Sequence, residues 1–133
     1  MCEATPRLER TDLFYNQACA LLVEAGAAPL VRKNLVRDGK SDGIVIGANG
    51  LGIFEGNRIF MNSNIGFKVH RNGAPVVRDN AINNGNGVGV CLEAGAMGDF
   101  SDNVIAGNYG DQIRVQDNRY SSVPSTLAPH CHS

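Results

Sequence analysis

Apolar residues fall along this chain in short clusters closed by Gly, Pro, Asn or Asp, as in LVRKNLV, GIVI, IFEGNRI and GFKV. None is long enough for a packed helix, and β-branched residues dominate the positions that look buried. The pattern therefore predicts short strands. Alternation assigns their faces. In GIVI, Ile44 and Ile46 point one way and Val45 the other.

The clusters return every 23 residues, marked by Asn34, Asn57, Asn80 and Asn103. Two residues after each asparagine stand Val36, Ile59, Ile82 and Ile105; three before stand Val31, Phe54, Val77 and Phe100. A glycine column, Gly43, Gly66 and Gly89, is broken by Gln112, and a further column alternates Pro29, Gly52, Pro75 and Gly98. Such periodicity is sought first because it decides architecture. A leucine-rich repeat could share the period, but its leucine framework is missing. The prediction is an all-β fold, a right-handed single-stranded parallel β-helix of about five 23-residue coils, each with three short strands and three turns. Equivalent residues would stack about 4.8 Å apart. The four asparagines would form a structural ladder bonded from coil to coil. The glycine and Pro/Gly columns are expected at the other corners, with φ positive or fixed. The column Val45, Lys68, Cys91, Arg114 is expected to face solvent.

Residues 29–115 carry the regular repeats. Residues 1–28 align as a degenerate first coil, with Pro6, Leu8, Thr11, Leu13, Leu21 and Val23 standing for Pro29, Val31, Asn34, Val36, Ile44 and Ile46. A helical N-terminal cap is the competing reading. Residues 116–133 read as a polar tail, partly disordered. Neither end shows an obvious amphipathic cap, which would leave strand edges open, so the chain reads either as a segment of a longer solenoid or as one capable of end-to-end self-association.

Composition narrows the function classes. Sixteen glycines and 19% charged residues suit a turn-rich β chain. A net charge of −1 and a pI of 6.3 leave no basic footprint for nucleic acid or an anionic membrane surface. The longest apolar stretch, Ala18–Val23, is far short of the roughly 20 residues a membrane span needs. MCEATPRLER lacks the order of a signal peptide. Cys2, Cys19, Cys91 and Cys131 show no paired spacing, so reduced thiols in a cytoplasmic or nuclear protein are expected.

Two outward columns carry charge. One reads Glu9, Arg32, Glu55, Arg78, Ser101, alternating in sign, which sets register as a solvated ladder. The next reads Arg10, Lys33, Gly56, Asp79, Asp102. Asp79 and Asp102, one coil apart, could bind calcium or act as acid and base on a sugar, but the cluster of further carboxylates and cations such a site needs is missing. The turn DGKSDG, with Asp38, Lys40 and Asp42, lacks the frame of a calcium loop. His130, Cys131 and His132 lack zinc-site spacing. Cys91 between Lys68 and Arg114 is a candidate for a lowered thiol pKa. His70 reads as a surface histidine. No catalytic triad, nucleophile elbow, phosphate loop or paired-cysteine motif appears. The expectation is a non-enzyme with no cofactor and no metal site.

The run APLVRKNLVRDGKSDGIVIGANGLGIFEGNRIFMNSNIGFKV resembles the β-helix repeats of F-box only proteins of the ten and eleven type. It shares an R-x-N-x-I core, a DG turn, a GI/GV strand and a GxGxFExN continuation over about Pro6–Val115. The same general repeat occurs in carbohydrate-processing β-helices. The F-box resemblance implies a substrate-recognition arm of a cullin-based ubiquitin ligase, in which a separate F-box binds the Skp adaptor. This chain shows no helical F-box-like segment, leaving the recognition role alone. The expected function is protein binding, with a protein substrate or scaffold as partner. The outer strand face supplies the candidates Arg32, Glu55, Lys68, His70, Arg78, Asp79 and Arg114. A carbohydrate-binding or polysaccharide-processing β-helix, centred on Asp79 and Asp102, and a purely structural solenoid are the alternatives.

Overall fold

The computed structural model describes residues 6–116, so Cys2, the His130, Cys131 and His132 cluster and the tail from 117 onward lie outside the described residues. The described residues wind through fifteen three-residue strands. Coil one holds β1 (Arg7–Glu9), β2 (Asp12–Phe14) and β3 (Leu21–Val23). Coil two holds β4 (Leu30–Arg32), β5 (Leu35–Arg37) and β6 (Ile44–Ile46). Coil three holds β7 (Ile53–Glu55), β8 (Arg58–Phe60) and β9 (Phe67–Val69). Coil four holds β10 (Val76–Arg78), β11 (Ala81–Asn83) and β12 (Val90–Leu92). Coil five holds β13 (Asp99–Ser101), β14 (Val104–Ala106) and β15 (Ile113–Val115).

Like strands pair in parallel to give three five-stranded sheets, β1-β4-β7-β10-β13, β2-β5-β8-β11-β14 and β3-β6-β9-β12-β15. The register is one 23-residue step throughout, as in Leu8 to Val31 to Phe54 to Val77 to Phe100. This is an all-β, right-handed parallel solenoid of about five coils. The first 23-residue step pairs β1 with β4, β2 with β5 and β3 with β6.

A single three-residue strand cannot hold itself together. Its inward side chains must be buried by the coils above and below. Val31, Phe54, Val77 and Phe100 line the first sheet, Val36, Ile59, Ile82 and Ile105 the second, and Ile44, Phe67 and Val90 the third, all buried. Phe67 bridges two coils of the first sheet, with edge-to-face centroid distances of 5.3 Å to Phe54 and 6.2 Å to Phe100.

At the corner after the first sheet the backbone turns through left-handed φ at Arg10, Lys33, Gly56, Asp79 and Asp102, between 52° and 67°. That turn leaves the next backbone groups without a strand partner, and the asparagines satisfy them. Asn57 Nδ2 donates to Val31 O at 3.0 Å and to Asn80 Oδ1 at 2.9 Å. Its Oδ1 accepts from Asn34 N and Asn34 Nδ2, both at 3.0 Å. Asn80 repeats the pattern towards Asn103, and Asn34 closes it on Thr11 N. All four asparagines are buried, which their complete bonding permits.

One expectation needs correction. Gly43, Gly66 and Gly89 do not take positive φ. Their lack of a side chain is what matters, since a Cβ would lie 2.6 Å from Gly66 O, 2.9 Å from Gly89 O and 2.6 Å from Gln112 O respectively. Positive φ in the Pro/Gly column is confined to its glycines, Gly52 at 124° and Gly98 at 137°. A second set of buried asparagines, Asn62 and Asn108, also went unread. Each bonds the coil before it: Asn62 Oδ1 accepts from Gly39 N at 3.0 Å and Nδ2 donates to Val36 O at 3.2 Å, while Asn108 does the same with Gly85 N and Ile82 O.

Candidate binding surface

The strands that carry the candidate residues belong to two different sheets. Arg32, Glu55 and Arg78 end β4, β7 and β10 on the first sheet, and Asp79 follows in the turn. Lys68, His70 and Arg114 lie on or just after β9 and β15 of the third sheet. The structure therefore does not join all seven into one site, because outward columns on different sheets point in different directions.

On the first sheet, one-coil stacking brings opposite charges into contact. Glu55 Oε2 accepts from Arg78 Nε at 2.7 Å, and Glu55 Oε1 lies 3.1 Å from Arg32 Nε. Arg32 Nη1 reaches Glu9 at 3.5 Å. The Arg32–Glu55 approach is an ion pair by distance but is poorly aligned, so the buried Arg32 Nε has no hydrogen-bond partner among the described residues. The hydrogen bond from Arg78, then the charges of Arg78, Arg32 and Lys33, hold the Glu55 carboxyl below its ordinary pKa against a smaller opposing desolvation.

Beside this ladder lies an open groove of about 280 Å³ lined by Arg32, Lys33, Glu55, Gly56 and Asp79. Gly56 forms its floor: it occupies a turn position where the stacked neighbours carry long or charged side chains, and the nearest atom to a Cβ there would be Lys33 Cγ at 3.5 Å. Arg10, Lys33, Asp79 and Asp102 are exposed. None of the four has an ion-pair partner within 4.0 Å among the described residues. Among those residues no group of three or more His, Cys, Asp or Glu is placed to hold a metal ion.

On the third sheet, Glu93 gathers the candidates. It accepts from His70 Nδ1 at 2.6 Å and pairs with Lys68 Nζ at 3.5 Å. Burial raises the Glu93 pKa, but the His70 hydrogen bond and the charges of His70 and Lys68 outweigh it and hold the carboxyl low. Arg114 turns to Asp111 at 3.1 Å. The expectation for Cys91 is overturned. It is buried, with 1% exposure, and burial pushes its thiol pKa up despite Lys68 and Arg114. A short side chain between two long in-register neighbours is shielded although it points outward. Val45 in the same column is also buried. Among the described residues, Cys91 and Cys19 are not joined by a disulfide.

The second sheet carries a feature that sequence reasoning missed. Arg37 Nε and Nη2 bond both oxygens of Asp12, at 3.0 and 2.9 Å, while Nη1 bonds Asp38 at 2.8 Å. Its guanidinium lies 4.8 Å from the Phe14 ring centroid. The alternation Phe14, Arg37, Phe60 at 23-residue steps was the available signal.

The comparisons agree with this architecture. The family model for the right handed beta helix region matches residues 3–126. No curated protein and no solved structure matches the chain. The stacked three-sheet geometry and the family match lead to one conclusion: the chain belongs to the right-handed β-helix family.

Proposed function

We propose that this β-helix is a protein-binding module. In this reading it serves as a substrate-recognition surface, similar to the β-helix region of F-box ubiquitin-ligase subunits. The observation that carries the reading is the charged edge of the first sheet, where Glu9, Arg32, Glu55 and Arg78 stack beside an open groove. A rigid β stack presents such charges at fixed spacing, so a partner with the complementary arrangement loses little freedom on binding.

The test replaces Arg32 and Arg78 together by Gln and measures binding to a protein captured by the unmodified chain. The reading predicts loss of binding with only a small drop in the thermal midpoint, since the pairs removed are solvent-screened. Equal binding by both chains, with the fold intact, would remove the first sheet from the recognition surface.

A further inference from the structure

Two outward charge columns run side by side along the first corner, and they obey opposite rules. Glu9, Arg32, Glu55 and Arg78 alternate in sign and pair within the chain. Arg10, Lys33, Gly56, Asp79 and Asp102 do not alternate. Two cations stand together at one end, two carboxylates at the other, and a glycine notch lies between. Like charges on neighbouring strands are destabilising. A column that served only the fold would alternate, as its neighbour does. This column instead leaves its four charges exposed and without ion-pair partners among the described residues.

We propose that this graded column and its Gly56 notch form a binding site for a peptide segment that carries one acidic and one basic side chain on the same side. The acidic group would sit over Lys33 and the basic group over Asp79, with the peptide backbone crossing Gly56. This rests on the protein-binding reading and names the class of partner. Lys33 and Asp79 are two coils apart, about 10 Å at strand spacing. A polyproline II segment repeats its face every three residues and rises about 3.1 Å per residue, so residues i and i+3 present their side chains together about 9 Å apart. In an extended strand, i+2 falls short at about 7 Å and i+3 points to the opposite side. The best-fitting occupant is therefore a polyproline II segment with opposite charges at i and i+3. The missing side chain at Gly56 gives its backbone room, and nothing but Lys33 lies within 4 Å of a Cβ placed there.

Three capped hexapeptides test this on the intact chain by fluorescence anisotropy at low salt: PEPPRP, PEPPEP and PRPPRP. The site predicts that PEPPRP binds at least about tenfold more tightly than either like-charged peptide, and that salt weakens it. Gly56→Asn keeps a residue type that tolerates left-handed φ but fills the notch, and should weaken PEPPRP about tenfold with at most a small drop in the thermal midpoint. Lys33→Asp, which leaves Gly56 untouched, should also weaken it. Adding Asp79→Lys to Lys33→Asp should restore binding, because the peptide can turn end for end. Equal binding of the three peptides, or wild-type affinity in both single variants, would overturn the site. If protein capture still depends on Arg32 and Arg78 while PEPPRP shows no preference, the peptide site fails and the protein-binding reading stands. If no protein is captured at all, it is that reading that fails.

Discussion

Phe54 fits the core only because residue 52 has no side chain: a Cβ on Gly52 would lie 2.9 Å from Phe54 Cε1. Gly98 and Phe100 repeat the relationship at the same distance, 46 residues on. In the coils before each of these, proline stands with valine, as Pro29 with Val31 and Pro75 with Val77. From coil two to coil five the solenoid therefore alternates two kinds of coil, and the inner residue and the corner residue change together. Gly52→Ala should destabilise the fold by about 1–3 kcal/mol, from crowding and from a φ that side chains avoid. Gly52→Pro with Phe54→Val recreates the other coil type. Its cost in urea denaturation should be well below the sum of the two single variants; simple additivity would sever the link.

The ladder makes a second prediction. Asn57→Ala removes two donated bonds and strands Asn34 N without an acceptor. A buried unsatisfied amide makes this cost on the order of 1–3 kcal/mol. Denaturant midpoints measure it, and a change near zero would mean that the side-chain amides add nothing to the stack.

Acid should loosen the first sheet through Glu55. Its folded pKa lies below the ordinary 4.5. A depressed carboxylate contributes fully above the unfolded pKa and loses its contribution as pH falls through the folded value. Glu55→Gln should therefore flatten the fall in stability below about pH 4.5, by a small amount because the pair is solvent-screened. The comparison is urea midpoints from pH 6 down to pH 2 for both chains. Parallel curves would mean that Arg78 does not hold Glu55 ionised.

Cys91 should resist alkylation in the folded chain. Burial both shields the thiol and disfavours the thiolate. Peptide-resolved mass spectrometry at pH 8 should find Cys91 modified at least about tenfold faster once urea unfolds the chain. Equal rates in both states would place the thiol in solvent.

Most of this fold was legible because a stacked solenoid writes its contacts as a fixed sequence offset. Asn34, Asn57, Asn80 and Asn103 bond at the spacing at which they recur. What escaped was written at twice that offset. Asn62 and Asn108 share their column with Gly39 and Gly85, so a one-coil comparison sees a mixed position rather than a second ladder. The Pro/Gly alternation was visible, but its link to Val31 and Phe54 depends on where a ring lies inside the coil. For the surface, alternation gave outward direction without solvent exposure, and Cys91 shows the difference. Nor did it assign columns to sheets, which is why Lys68, His70 and Arg114 were grouped with residues of another sheet.

The most direct test of the recognition reading is affinity capture from cell extract with three baits: the unmodified chain, Arg32→Gln with Arg78→Gln, and Arg58→Gln on the second sheet as a control. A discrete protein set should be retained by the unmodified and Arg58→Gln baits and lost from the double variant. Retention of that set by the double variant, or recovery of no protein alongside binding to a polysaccharide array, would contradict a first-sheet protein-binding surface.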